Sequence, residues 1–316
     1  MKKVVVIGGG TGQSVMLRGL KKLEDIHLST IVTVADDGGS TGRLRRSYHI
    51  PAMGDIRNVL IALSESEPLL TKMMDYRFEK DDESDVAGHN LGNLMLTALI
   101  KSSGSLMQAI SDLSKVLKIK GEIIPASSQA ITLCARMSDN TIVRGESNIP
   151  KYANRIQCVF YQEEVKATTE AISAVLDADV IIFGIGSLYT SIIPNIVIDD
   201  LKEALLKSDA TKIYLCNAMT QPGETDDYYL EDHVQAIEEH LKGMIDLVVY
   251  ANDILPPIVL ERYIQQQAFP VLHKEVTHHY QIEEYQLLSF EHDLIRHDSE
   301  KIRIIFSDIL KRVGKK

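Results

Sequence analysis

The 316-residue chain is short of cysteine, of positive charge and of long apolar runs, and each shortage closes off a class of protein. Its three cysteines, Cys134, Cys158 and Cys216, are odd in number and widely spaced. That fits neither a disulfide framework nor a zinc site and points to a reducing compartment. Lysine and arginine number 34 against 44 aspartates and glutamates, a formal net charge of -10. A general nucleic-acid binder shows a basic face instead, so no nucleic-acid partner is expected. The apolar run behind the N-terminal lysines, 4–7, is far below a signal-peptide core or a membrane span and reads as a buried strand. A cytoplasmic protein with no membrane span follows by elimination. No internal repeat or low-complexity linker is present.

What is present is ordinary globular usage, 45% hydrophobic and 25% charged, enough for a large core. Part of the acid excess falls in 79–85, which reads as a solvated loop, while Arg43, Arg45 and Arg46 form a local cluster able to hold one anionic ligand.

Strand and helix patterns alternate. Residues 2–7 are a β-branched run ending in glycine, and 13–23 follow with helical apolar spacing (Val15, Met16, Leu20, Leu23). A second buried-strand run covers 28–34, followed by a long polar, glycine-containing loop from 35 to about 51. Helical spacing marks 55–63, 69–76, 90–100 and 105–117. Residues 131–137 and 141–144 flank Ser138-Asp139-Asn140, a hairpin signal that predicts antiparallel strands within 121–146. Helices at 168–176, 195–206 and 230–241 then alternate with strands at 180–183, 212–216 and 247–250, and helices near 258–266 and 300–313 close the chain. The His-, Glu- and Tyr-rich stretch 269–298 is poorly periodic and receives no assignment. The pattern predicts an α/β, Rossmann-like, doubly wound and mostly parallel sheet with a β-hairpin insertion. One domain over 1–316 is the preferred organisation, with the insertion at about 121–146 and a C-terminal extension over about 256–316; a split near residue 120 is the alternative.

The chemistry concentrates in the loops that follow strands. Gly8-Gly9-Gly10-Thr11-Gly12 lies between a strand and a helix, where glycines let backbone approach a phosphate and the helix offers free N–H groups. Its third glycine comes one residue early for the dinucleotide fingerprint, and no Gly-Lys-Ser/Thr follows as in a P-loop. Asp36-Asp37-Gly38-Gly39-Ser40-Thr41-Gly42-Arg43 follows the second strand. Two adjacent carboxylates suit ribose hydroxyls or a divalent cation, the glycines with Ser40 and Thr41 make a second cradle, and Arg43 or Arg45 can neutralise phosphate. Gly54-Asp55-Ile56-Arg57-Asn58 opens a helix, with Asp55, Arg57 and Asn58 as candidate ligand contacts and an N-cap as the alternative role of Asp55. Gly88-His89-Asn90-Leu91-Gly92-Asn93 opens another, where His89 can act as an acid or base or hydrogen-bond a ligand alongside Asn90 and Asn93.

Gly184-Ile185-Gly186-Ser187-Leu188-Tyr189-Thr190-Ser191 repeats the strand–glycine–hydroxyl pattern but lacks the G-x-S-x-G nucleophile elbow. After the next strand, Asn217, Thr220, Gln221 and Glu224 would reach the same sheet edge. The histidines at 278, 279, 292 and 297 lack metal-ligand spacing, and no metal ligand is assigned.

Together these loops resemble the YvcK/CofD-like family, and most closely its YvcK branch, the gluconeogenesis factors. The matching stretches are 8–14, 36–45, 54–58, 88–94, 186–195 (with Ser191 and Asn195) and 217–225, in order over the first three quarters of the chain. Ile185 stands where that family's loop has proline. The resemblance implies a Rossmann-like fold, a nucleotide ligand and a homodimer. In the CofD branch the loops serve a transferase that joins a phospholactyl-type group to a deazaflavin precursor with a divalent cation. The YvcK branch is associated with UDP-N-acetylglucosamine, cell-wall synthesis and cell shape on gluconeogenic carbon, and has no firmly attached reaction. Its sugar-nucleotide contacts fall at Tyr263 and Arg296 here. A nucleotide-sugar sensor acting on a regulatory protein partner is therefore expected, with NAD or another nucleotide and Mg²⁺ as alternative occupants. A CofD-type transferase is the alternative. An NAD-linked oxidoreductase ranks below both, because the glycine spacing is wrong and no catalytic acid or base is evident.

Overall fold

The structure, a computed structural model, describes residues 1–65, 68–80 and 84–315. The expected acidic loop at 79–85 thus lies partly outside the described residues, as does Lys316. The chain runs β1 (Lys2–Gly8), α1 (Gly10–Leu20), β2 (Ile26–Val32), α2 (Gly39–Tyr48), α3 (Gly54–Leu63), α4 (Pro68–Asp75), α5 (Leu91–Ser103) and α6 (Leu106–Leu117). Next come β3 (Glu122–Pro125), β4 (Leu133–Met137), β5 (Ile142–Arg144), β6 (Ile156–Tyr161), α7 (Thr169–Asp177), β7 (Val180–Phe183), α8 (Ile193–Ile196) and α9 (Asp199–Lys207). The last part is β8 (Thr211–Leu215), α10 (Leu230–Leu241), β9 (Leu247–Ala251), α11 (Pro257–Gln265), β10 (Gln281–Tyr285), β11 (Leu288–Ser289), β12 (Arg296–His297) and α12 (Ser299–Arg312).

Seven strands form one sheet in the order β3-β2-β1-β7-β8-β9-β10, with every neighbouring pair parallel. Burial on both faces explains why β1 and β7 read as unbroken apolar runs; all of β7 is buried. From β1 the chain winds outward to β3, then returns to β7 and winds the other way to β10. The direction reverses between β1 and β7, so their carboxyl ends open a crevice. The doubly wound parallel sheet is as the sequence led us to expect. So is the hairpin: β4 and β5 pair antiparallel, with Asn140 at φ 67° in the turn, and β6 adds a third strand.

Two expectations, at 35–51 and 195–206, need correction, and two further segments, 121–146 and 269–298, are placed more fully. The polar loop at 35–51 contains α2, whose first turn of Gly39, Ser40, Thr41 and Gly42 has poor helix propensity. Tertiary contacts hold it instead: Leu44 is buried, and Arg45 donates to the carbonyls of Ala35 and Asp36 and to Thr132 Oγ1. The segment 121–146 is not all antiparallel, since β3 pairs parallel with β2 at the edge of the main sheet. Periodicity does not distinguish so short an apolar run. The helix at 195–206 is two, α8 and α9, separated where Ile198 is extended. The unassigned stretch 269–298 supplies β10, β11 and β12, and Asp298 then caps α12 by accepting from the Glu300 and Lys301 N–H groups at 2.7 and 2.9 Å.

Among the described residues no helix is long and apolar enough to cross a membrane, and the three cysteines are free.

Candidate functional site

The crevice is walled by two glycine loops in direct contact. Gly9, extended, precedes α1 without capping it through a side chain, and Gly10 takes the left-handed φ of +69°. A Cβ on Gly12 would lie 2.5 Å from the Ile185 carbonyl oxygen, and one on Gly186 3.0 Å from the Gly9 oxygen. The loops after β1 and β7 therefore meet backbone to backbone, which only glycine permits. Gly184 packs on Val6 and Met16 below them. Ser191 lies beside Gly9 and Gly10, and Asn195 donates to the carbonyls of Gly8 (3.2 Å) and Ser191 (2.9 Å), tying the two loops together. Thr11 is exposed at the mouth.

Several residues expected to meet a ligand instead bond to one another. Ser187 Oγ donates to Gln221 Oε1 (2.7 Å), and Gln221 Nε2 donates to Glu224 Oε1 (2.7 Å). Glu224 also accepts from Thr190 Oγ1 (2.9 Å) and the Tyr189 N–H (3.2 Å), while Thr220 Oγ1 accepts from the Phe269 N–H (2.9 Å). Burial pushes the Glu224 carboxyl up to about 7, against these bonds. Asn217 Nδ2 donates to the Gly186 carbonyl (2.9 Å), and its Oδ1 accepts from the Tyr214 hydroxyl (3.2 Å), which also bonds His233 Nδ1 (2.9 Å). A chain running back to α10 thus orients Asn217.

Between the ends of β1, β7 and β8 lies a cleft of about 180 Å³ lined by Thr11, Gly12, Val15, Ile185, Asn217, Ala218, Met219, Tyr263, Ile295, Arg296 and His297. Tyr263 and Arg296, remote from the glycine loops in sequence, come to them here. The Tyr263 hydroxyl accepts from the Ile295 N–H (3.0 Å) and donates to its carbonyl (3.4 Å), so it fixes the segment bearing Arg296 and offers a ligand its ring. Arg296 is exposed, and no hydrogen bond or ion pair engages it among the described residues. Ile185, in place of proline, is a buried part of the lining.

The β2 side differs. Asp36 accepts from the Gly38 N–H (2.8 Å), Gly38 preceding α2, and Asp37 accepts from the Ser147 N–H (2.9 Å). Ser40 Oγ accepts from the Asn90 N–H (3.2 Å), which leaves its hydrogen for His89 Nδ1 (3.0 Å). Asn93 Nδ2 donates to Thr41 Oγ1 (3.2 Å), and the Asn93 N–H donates to Asn90 Oδ1 (3.1 Å), capping α5. Burial, then Arg43 and Arg77, lower the basicity of His89. Arg43 donates to the Ala87 carbonyl (2.7 Å) and buried Arg57 to Asn58 Oδ1 (2.6 Å). Asp55 is not an N-cap of α3; its carboxyl sits at the Gly10 amide of α1 instead. Burial, then Asp36, push it up to about 7 against that amide.

The sequence reading missed Glu146, which burial and then Asp36, Glu224, Asp55 and Asp37 push up to about 8. It links the acidic β2 side to Glu224, and the only signal for it was the glycine before it. His297 was passed over as a scattered histidine, yet it is buried and lines the cleft. Strand alternation beside Arg296 was its signal.

The sequence model of the family described as 2-phospho-L-lactate transferase CofD matches residues 4–291. The chain is 42% identical to the gluconeogenesis factor of Bacillus subtilis strain 168 over 314 residues, 98% of each protein. It is 45% identical over 307 residues to the gluconeogenesis factor of Halalkalibacterium halodurans, covering 95% of this chain and 94% of that one. A crystallised member of the UPF0052 family from Bacillus halodurans superposes with a TM-score of 0.92 at 43% identity, over 96% of this chain and 99% of that chain.

Proposed function

The chain belongs to the CofD/YvcK family, with gluconeogenesis factors among its near full-length relatives, and from that premise we propose that it is a cytoplasmic nucleotide-sugar-binding regulatory protein. UDP-N-acetylglucosamine is the proposed ligand, and cell shape and cell-wall synthesis on gluconeogenic carbon the proposed output. One observation carries the reading: Arg296, a cation without a partner among the described residues, shares a cleft with Tyr263, Asn217 and the Thr11–Gly12 turn at the switch point of the sheet. The diphosphate would meet the first-turn amides of α1 beyond Gly10, which no side chain caps, and Arg296 would offset its charge. The cleft holds only part of such a ligand, with the remainder along the open crevice. Binding must bias a two-state element if it is to signal, and a homodimer or a regulatory partner is where that element would act.

The second reading, a CofD-type transferase, is favoured by the family match and the acidic β2 side. Asp36 and Asp55 offer hard oxygen donors for a divalent cation. Among the described residues no three His, Cys, Asp or Glu side chains are grouped to hold a metal, so phosphate oxygens of the ligand would complete the shell, as is usual for Mg²⁺.

Calorimetric titration with UDP-N-acetylglucosamine, NAD and GDP plus Mg²⁺, with product analysis of each mixture, separates the readings. Saturable sugar-nucleotide binding without turnover is expected. A transferred phospholactyl product replaces the first reading with the second, and binding of NAD alone removes both.

A further inference from the structure

One polar group in the cleft has no role in the interactions described so far. His297 is 7% exposed, and its Nε2 has no hydrogen-bond partner among the described residues. Of the buried side-chain atoms left unpartnered there, it alone belongs to a residue lining the cleft. The backbone that carries the ring is held on both sides of it. The Tyr263 hydroxyl pins Ile295, β12 pairs antiparallel with β11, and the Asp298 N–H donates to the Leu287 carbonyl (2.7 Å). Alternation along β12 leaves Arg296 exposed and His297 buried, yet both line the cleft, one as a cation and one as an imidazole. Burial, against Asp253 and the Cys216 backbone, lowers the imidazole to about 4, so at neutral pH it is an uncharged ring with one donor and one acceptor. Such a group recognises uncharged polar edges, and a buried group with an unmade bond favours a ligand that makes it.

We propose that His297 is a specificity-determining residue of the cleft, hydrogen-bonding the uncharged base or sugar end of the ligand while Arg296 meets its phosphates. This rests on the nucleotide-sugar reading. A site built to bond a particular N–H or O–H rejects ligands that lack it more strongly than an apolar pocket does.

The test is calorimetry on the full chain with UDP-N-acetylglucosamine and with UDP. His297→Phe is expected to weaken UDP-N-acetylglucosamine about tenfold, and His297→Gln, which keeps a donor and an acceptor, to stay within about threefold of wild type. An equal loss for UDP assigns the contact to the base, and a loss confined to the full ligand assigns it to the sugar. In the wild-type protein, ring ¹⁵N resonances of His297 should shift when UDP-N-acetylglucosamine is added, a measurement independent of how the variants fold. Unshifted resonances, a Phe variant within twofold of wild type, or a Gln variant as weak as Phe overturns the proposal while leaving the function intact. Absence of any binding to the wild-type chain overturns the functional reading, and this proposal with it.

Discussion

At the ends of β7 and β8, Ser187, Gln221, Glu224 and Thr190 bond among themselves and tie the two loops together, while Thr220 bonds the Phe269 backbone, leaving Arg296, Thr11 and the face of Tyr263 turned to a cleft. At the end of β2 a second polar knot, Ser40, Thr41, His89, Asn90 and Asn93, joins the first turns of α2 and α5. Beside it lie Asp36, Asp55 and Glu146, and burial first, then the neighbouring acids, raise the pKa of Asp55 and Glu146. Both sides are polar, and they are opposite in charge. One leaves a cation unpaired and suits an anionic ligand directly; the other needs a cation or a proton first.

The β7–β8 side should be the more fragile. Gly12→Val places a branched side chain where even a Cβ lies 2.5 Å from the Ile185 oxygen, so the loops must part. We expect UDP-N-acetylglucosamine affinity to fall at least about a hundredfold by calorimetry, with a clear drop in Tm. Arg296→Ala removes a charge that no group engages among the described residues. Affinity should fall about ten- to a hundredfold, the worth of a charge-assisted hydrogen bond, while Tm stays within about a degree. Unaltered affinity takes Arg296 out of the site; an equal loss of stability makes it a framework residue.

Most of the frame was legible because parallel strands buried on both faces, such as Val180–Phe183, announce themselves as apolar runs ending in glycine. What failed was held by tertiary contact. Gly39–Tyr48 is helical because Leu44 is buried and Arg45 reaches across to Thr132 on the segment entering β4, and neither partner is local. In the site, loop positions were readable but the division of labour was not. Glu224 and Arg296 look equally available in sequence, yet Glu224 accepts from three donors while the Arg296 side chain meets no acceptor among the described residues. Glu146 escapes notice because its significance comes from its burial and from carboxylates at least 78 positions away.

Two changes test the β2 side. Asp55 titrates near 7 in the folded chain and near 4 when unfolded, so the native state binds the extra proton between those values. Its contribution to stability is full below about pH 4 and is lost as pH rises through about 7. Asp55→Asn keeps an acceptor for Gly10 without the charge and should stabilise the ligand-free protein by about 2 kcal/mol at pH 8. That gain should shrink towards zero near pH 4; a gain constant across pH in thermal melts would remove burial of charge as its cause.

The smallest effect on binding is expected from His89→Ala. It takes the acceptor from the buried Ser40 hydroxyl and should lower unfolding stability by about 1–3 kcal/mol in denaturant titration. Since the Nδ1 atom of His89 is already bonded within the knot and His89 is not among the residues lining the cleft, affinity for UDP-N-acetylglucosamine should change less than twofold. A tenfold loss of affinity with stability preserved would mean that the ligand crosses the crevice and touches both sides. The acidic half would then be part of the same site, and the cation that Asp36 and Asp55 can accept would belong to the ligand complex rather than to a separate reaction.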